Sequence, residues 1–174
     1  MKTLLTICAL AFASLFATAD THAQRIAVVD ITAVLEDLDD YKAAQEELDK
    51  LAEGWRQEIA REYDKIKGMY NKYQAEQVLM SDDARAEREE QIVAAETRVR
   101  EMQKNRFGPE GELFQRRAEL VQPIQDKVYT AIQSYADQRG YDFIFDKGSS
   151  AGLLFSKASF DKTDELKSAI AAQR

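Results

Sequence analysis

From Tyr41 to Gly140 the apolar residues recur at intervals of three and four, with no alternation of the strand type. That spacing predicts helix. The outgoing stretch carries Tyr41, Ala44, Leu48, Leu51 and Trp55 as one stripe, continued by Ile59, Ile66, Met69/Tyr70 and Tyr73. Beyond Trp55 the repeat relaxes from seven toward eleven residues, through Trp55, Ile66 and Gln77. Such a pattern forms a seam against a second helix whose supercoil loosens with distance. Ser81-Asp82-Asp83 marks the turn, because Ser or Asp caps a helix start and acidic residues suit its positive end. The returning stretch presents Ile92, Ala95, Val99 and Met102 on one face.

An unbroken helix from Tyr41 to Met80 would span roughly 60 Å at 1.5 Å per residue. A compact chain of this length has a radius of only ~15 Å. The two stretches are therefore expected to form an arm, an antiparallel helical hairpin over 41–139 with its tip near 81–83, projecting from a smaller body. Phe107-Gly108-Pro109-Glu110-Gly111 breaks the return, since Pro lacks an N–H and Gly disfavours helix. Helix resumes from Glu112, passes Pro123 as a kink, and closes at Arg139-Gly140 with a glycine cap. Gly54 and Gly68 interrupt the outgoing helix, either to permit bending or to admit a close partner.

Around the arm the pattern changes. Arg25-Ile26-Ala27-Val28-Val29-Asp30 reads as a short buried strand, and a helix over Thr32 to Asp40 follows. Tyr141 to Asp146 forms a second strand and Leu153 to Ser156 a third, joined as a hairpin through a Gly- and Ser-rich loop. Asp161-Lys162-Thr163-Asp164 caps a final helix with Leu166 and Ile170 facing inward. The expected fold class is α+β, mostly α: the long hairpin on a small three-stranded body made from 24–40 and 140–174. Three short strands leave edges, and so small a unit buries little apolar surface. Copies of the body are thus expected to associate through Ile26, Val28, Phe143, Phe145, Leu153 and Phe155.

Composition changes the picture at the start of the chain. Lys2, the apolar run Leu4 to Ala17 and then Thr21-His22-Ala23 have the form of a secretory signal peptide over 1–23, cut after Ala23 or, second, after Ala19. The run is shorter than the ~20 residues of a membrane-spanning helix. Export removes Cys8 and His22, the only Cys and the only His of the 174 residues. A mature chain without either offers no thiol nucleophile, no imidazole acid/base and no His/Cys metal site. It also has no disulfide.

The net charge of −7 comes from interspersed signs, so no basic stripe for nucleic acid exists. The Asp37, Asp39 and Asp40 cluster lacks the alternation and glycine of a calcium loop, and Gly108 to Gly111 lacks the Lys-Ser/Thr of a phosphate loop. No catalytic residue, cofactor or metal is expected. More apolar residues crowd the outer half of the arm than one seam can hide. Tyr63, Met69, Tyr70, Tyr73, Val78, Leu79 and Met80 are candidates for contact with a client polypeptide, Met and Tyr being adaptable binding residues.

Arg25-Ile26-Ala27-Val28-Val29-Asp30, Gly140-Tyr141-Asp142-Phe143-Ile144-Phe145-Asp146 and Phe160-Asp161-Lys162-Thr163-Asp164-Glu165-Leu166, in that order around a helical hairpin, resemble the Skp/OmpH family of periplasmic chaperones. The resemblance covers almost the whole mature chain. It implies a homotrimer whose strands share a barrel, with three hairpins around a cavity that holds unfolded outer-membrane proteins without ATP. The best-known relatives are strongly basic whereas this chain is acidic, which leaves membrane-surface contact open and shifts the burden of binding to apolar contacts. The alternative is a structural coiled-coil scaffold or spacer of the cell envelope that binds no client.

Overall fold

The computed structural model describes residues 23–149 and 152–172; the signal peptide expected over 1–23 lies almost wholly outside them. Strand β1 (Ile26–Val29) leads into helix α1 (Ile31–Asp37), which Asp30 caps by accepting from the Ala33 N–H at 2.9 Å. The single helix expected to Asp40 is divided: Leu38 is extended, and a new helix, α2 (Asp39–Glu76), starts behind it. Leu38 packs partly into the body core, and that inward pull outweighs continuing the helical ladder.

At 38 residues, α2 is about 57 Å long. A 3₁₀ turn, Gln77–Leu79, ends the outgoing course. Ser81 then caps α3 (Asp82–Phe107), its hydroxyl accepting from the Ala84 N–H at 3.3 Å. After the break at Gly108–Gly111, α4 (Glu112–Arg139) carries the return to the body, running through Pro123 and ending at Gly140 in the left-handed region, φ 65°. Only glycine enters that region without strain.

Helix α3 packs antiparallel on the outer half of α2, and α4 on its inner half; Arg116 of α4 reaches Glu47 of α2 at 2.6 Å. The arm core is a row one side chain wide: Ile59 and Ile66 against Ile92 and Val99, flanked by Met69, Tyr73, Ala95, Met102 and Phe107. Beyond Leu48 the buried positions on α2, Ala52, Ile59 and Ile66, keep an interval of seven, so the expected relaxation to eleven does not govern burial. Ala52 is buried where Leu51 was expected. Gly54 and Gly68 are exposed, and a Cβ on either would meet nothing within 4 Å. Close approach of the partner helix is thus not their reason.

The body core combines Val29, Val34, Leu35 and Leu166 with Ala44 from the root of α2 and Ile124, Val128 and Tyr135 from α4. Strand β2 (Phe143–Asp146) lies parallel to β1, Ile26 opposite Phe143 and Val28 opposite Phe145. The last helix, α5 (Thr163–Ala171), buries Leu166 completely. Its start is held by Asp161, whose Oδ1 accepts from both the backbone N–H and the hydroxyl of Thr163.

The third strand expected at Leu153–Ser156 does not form in the single chain, whose sheet has two strands among the described residues. The chain leaves β2 through a tight turn instead. Asp146 Oδ1 accepts from Gly148 N at 2.9 Å, and Lys147 reaches Asp161 at 2.8 Å. Beyond it no β-edge of the same chain meets residues 153–156, and a strand without a partner has no ladder to stabilise it.

Candidate functional site

Two surfaces collect the residues singled out above. On the outer arm, three tyrosines of α2 reach across the hairpin to α3: Tyr63 to Gln103 at 3.5 Å, Tyr70 to Glu96 at 3.1 Å, and Tyr73 to Glu89. Tyr63 and Tyr70 sit seven residues apart, as do their acceptors Gln103 and Glu96, so the helical repeat lays the contacts out as rungs. Each hydroxyl donates to its acceptor. The bonds to Glu96 and Glu89 raise the Tyr70 and Tyr73 pKa values above the ordinary phenol range, assisted in each case by carboxylate charge and desolvation.

The candidates therefore separate into groups. Met69 and Tyr73 pack partly into the arm core. Tyr63 and Tyr70 hold their hydroxyls across the arm and leave much of each ring exposed. At the tip Val78 and Leu79 are 87% and 90% exposed, and Met80 beside them is half-buried. Two adjacent aliphatic side chains on a tight turn at the end of a long arm contribute nothing to the core.

Sequence reasoning missed a cluster around the break between α3 and α4. Trp55 meets Phe107 edge to face at 6.0 Å, with the Arg106 guanidinium 4.6 Å from the Trp55 ring and Arg56 5.9 Å from Phe107. Arg106 also pairs with Glu112 across the break and approaches Glu58 at 4.0 Å. The signal was present in Arg106-Phe107 immediately before Gly108-Pro109. Only pairing of the two arms brings Trp55 and Arg56 to it.

On the body, Phe143 and Phe145 occupy one face of β2, stacked at 6.3 Å, and both are exposed. Ile144 between them turns into the core. Leu153, Leu154 and Phe155, on the unpaired segment that follows, are exposed as well, Leu154 at 98%. Ile26 is half-buried beside Phe143. Val28 is only 2% exposed, because the chain around Asp161 closes over the other edge of β1: Lys162 N donates to Val28 O at 2.8 Å. The strand edge left open is thus that of β2, where Phe143 and Phe145 are exposed; Leu154 and Phe160, not named from sequence, are exposed elsewhere on the body.

Among the described residues no group of three or more His, Cys, Asp or Glu is placed to hold a metal, and no helix is long and apolar enough to cross a membrane. The family model for the outer membrane protein (OmpH-like) family matches residues 25–170, from β1 through the arm to α5. The chain belongs to the OmpH-like family. A solved structure from Caulobacter crescentus CB15, described as a candidate outer membrane chaperone (OmpH-like), matches with a TM-score of 0.70 at 13% identity. The match covers 91% of this chain and 90% of that one. At such identity the likeness speaks for the fold alone. No curated protein matches the chain. The OmpH-like architecture in this chain is mostly helical, with long helices and a small strand pair.

Proposed function

We propose that this OmpH-like protein is an ATP-independent holdase of the periplasm, exported by its N-terminal segment, that binds unfolded outer-membrane proteins and keeps them from aggregating. The observation that carries the reading is the bare apolar tip, Val78 and Leu79, with the exposed rings of Tyr63 and Tyr70 behind it. A spacer has no use for such a surface, and neighbouring apolar side chains left bare at an arm tip mark interaction. The membership in the OmpH-like family and the Caulobacter relative's description support the same reading.

Three copies would join through the β2 side of the body. Phe143 and Phe145 lie uncovered there, beside a strand edge that another chain can extend, and Leu153, Leu154 and Phe155 are bare on the segment that follows. Pairing with a neighbour would give residues 153–156 the ladder they lack alone and close the sheet into a shared barrel. The arms of a trimer would then enclose a cavity in which weak apolar contacts keep client strands from pairing with each other. No chemistry on the client is involved, and release follows when the client gains more by inserting into a bilayer.

The test is aggregation of an unfolded β-barrel protein, followed by light scattering with the mature chain at stoichiometric amounts, alongside its oligomer mass. Suppression by a trimer is expected, and the double variant Val78→Asp, Leu79→Asp should lose it while keeping mass and helix content. Unchanged aggregation in the presence of a folded oligomer would transfer the case to an envelope scaffold without clients.

A further inference from the structure

Between α2 and α3, just on the tip side of the break, lies an open groove of about 340 Å³ lined by Arg56, Ile59, Ala60, Tyr63, Gln103 and Phe107. Its aliphatic lining comes from Ile59 and Ala60, and its aromatic lining from the Tyr63 and Phe107 rings. The polar groups are chemically one-sided. In a chain of net charge −7, no carboxylate lines this groove. Arg56 stands over the Phe107 ring at 5.9 Å, and its ion pair with Glu53 is long, 3.7 Å, and exposed on both sides. The Tyr63 hydroxyl donates to Gln103 Oε1, which leaves the Gln103 amide N–H₂ as a second donor at the groove. Arg106, the other nearby cation, is occupied by Glu112, Glu58 and the Trp55 ring.

We infer that this groove is a side-chain subsite for an aromatic residue next to a carboxylate in an extended, unfolded polypeptide. The ring would lie between Tyr63 and Phe107, where edge-to-face contact with either is available, and the acidic neighbour would meet Arg56 and Gln103 through charge-assisted hydrogen bonds. A cavity of ~150 Å³ holds a benzene molecule, so this groove has room for a ring and the main chain beside it. Apolar lining with a few placed polar groups is the usual make-up of a binding pocket. A purely aliphatic segment would make no use of either donor, and an acidic segment without a ring would leave the groove unfilled. The inference rests on the holdase reading and specifies which segments of a client the arm prefers.

Trp55 supplies the readout. It is the single tryptophan of the chain and touches Phe107 edge to face, so its emission senses the groove wall. The mature protein would be titrated with the blocked tetrapeptide acetyl-Gly-Phe-Asp-Gly-amide and with two variants, one replacing Phe by Ala and one replacing Asp by Asn. A saturable change with the Phe-Asp peptide is expected, weakened about tenfold by the Asn replacement and abolished by the Ala replacement. In Arg56→Gln the Phe-Asp peptide should weaken about tenfold, the scale of one charge-assisted bond, while the Phe-Asn peptide is unaffected. Tyr63→Ala should weaken both. Equal binding of the Ala peptide, no saturable response, or an Asp-over-Asn preference that survives in Arg56→Gln would overturn the assignment. Light scattering of a full-length client on the same preparations separates the two ideas: suppression of aggregation without peptide binding rejects the subsite alone, and peptide binding without suppression rejects the holdase alone.

Discussion

Gly54 and Gly68 allow a test of what holds the arm straight. Each lies inside α2, where glycine in place of alanine costs ~1 kcal/mol through backbone entropy. Each is exposed, and an added Cβ meets nothing within 4 Å, so no steric term opposes the gain. The two positions are fourteen residues, about 21 Å, apart, and their effects should add. Gly54→Ala and Gly68→Ala together should therefore raise stability by about 2 kcal/mol. For a chain of 174 residues, each kcal/mol moves Tm by roughly 2–4 °C, so the double variant should melt about 4–8 °C higher, with the singles half-way. Circular dichroism at fixed protein concentration reads this directly. A lower Tm in either single variant would refute the reasoning, because it would mean that the glycine face is covered in the assembled protein by something a Cβ displaces. If stability rises while aggregation suppression falls, the glycines serve bending during capture.

Further expectations follow from the cores and the clamp. Ile92→Ala empties a fully buried position in a seam one side chain wide; it should cost about 2–4 kcal/mol, and amide exchange should rise along α3 and the outer half of α2 but not around Leu166. Tyr135→Phe removes the buried hydroxyl that donates to Glu165 at 3.0 Å, which should lower the denaturation free energy by about 1 kcal/mol, measured from urea midpoints; no loss would show that the bond is replaced by water. Bonds from Lys147, and then Thr163, hold the Asp161 carboxyl down at about 2. The unfolded chain takes up that proton near ~3.9, so the clamp stabilises fully above that value and is lost as the pH falls through about 2. Melting temperatures from pH 5 to pH 2 should fall more steeply for the native chain than for Asp161→Asn; parallel curves would exclude the clamp.

The arm was legible from residue order because its determinants are local. Apolar spacing at three and four, Ser81 before Asp82-Asp83, Gly108-Pro109 in the return and Gly140 at the close each act within a turn or two of helix. The helix boundaries at Ser81, Phe107 and Arg139 stand where these signals put them. The strands at Ile26 and Phe143 were equally readable as short β-branched and aromatic runs. Leu153 to Ser156 is also a short apolar run and is no strand in the lone chain, since a ladder needs a second edge and composition does not say who provides it.

What the sequence by itself determined was therefore most of the elements, their order, and the necessity of an arm too long for a globule. Tertiary structure alone decided which apolar residues are spent on packing and which remain free. Leu51 yields its place to Ala52, Met69 and Tyr73 go partly into the seam, and Val28 is covered by its own chain, while Val78, Leu79, Leu154 and Phe155 stay bare. It also brought Trp55 and Arg56 beside Phe107 and left a carboxylate-free groove next to them. The physical reason is range: helix propensity and capping are settled over a few residues, whereas burial depends on which distant side chain arrives opposite.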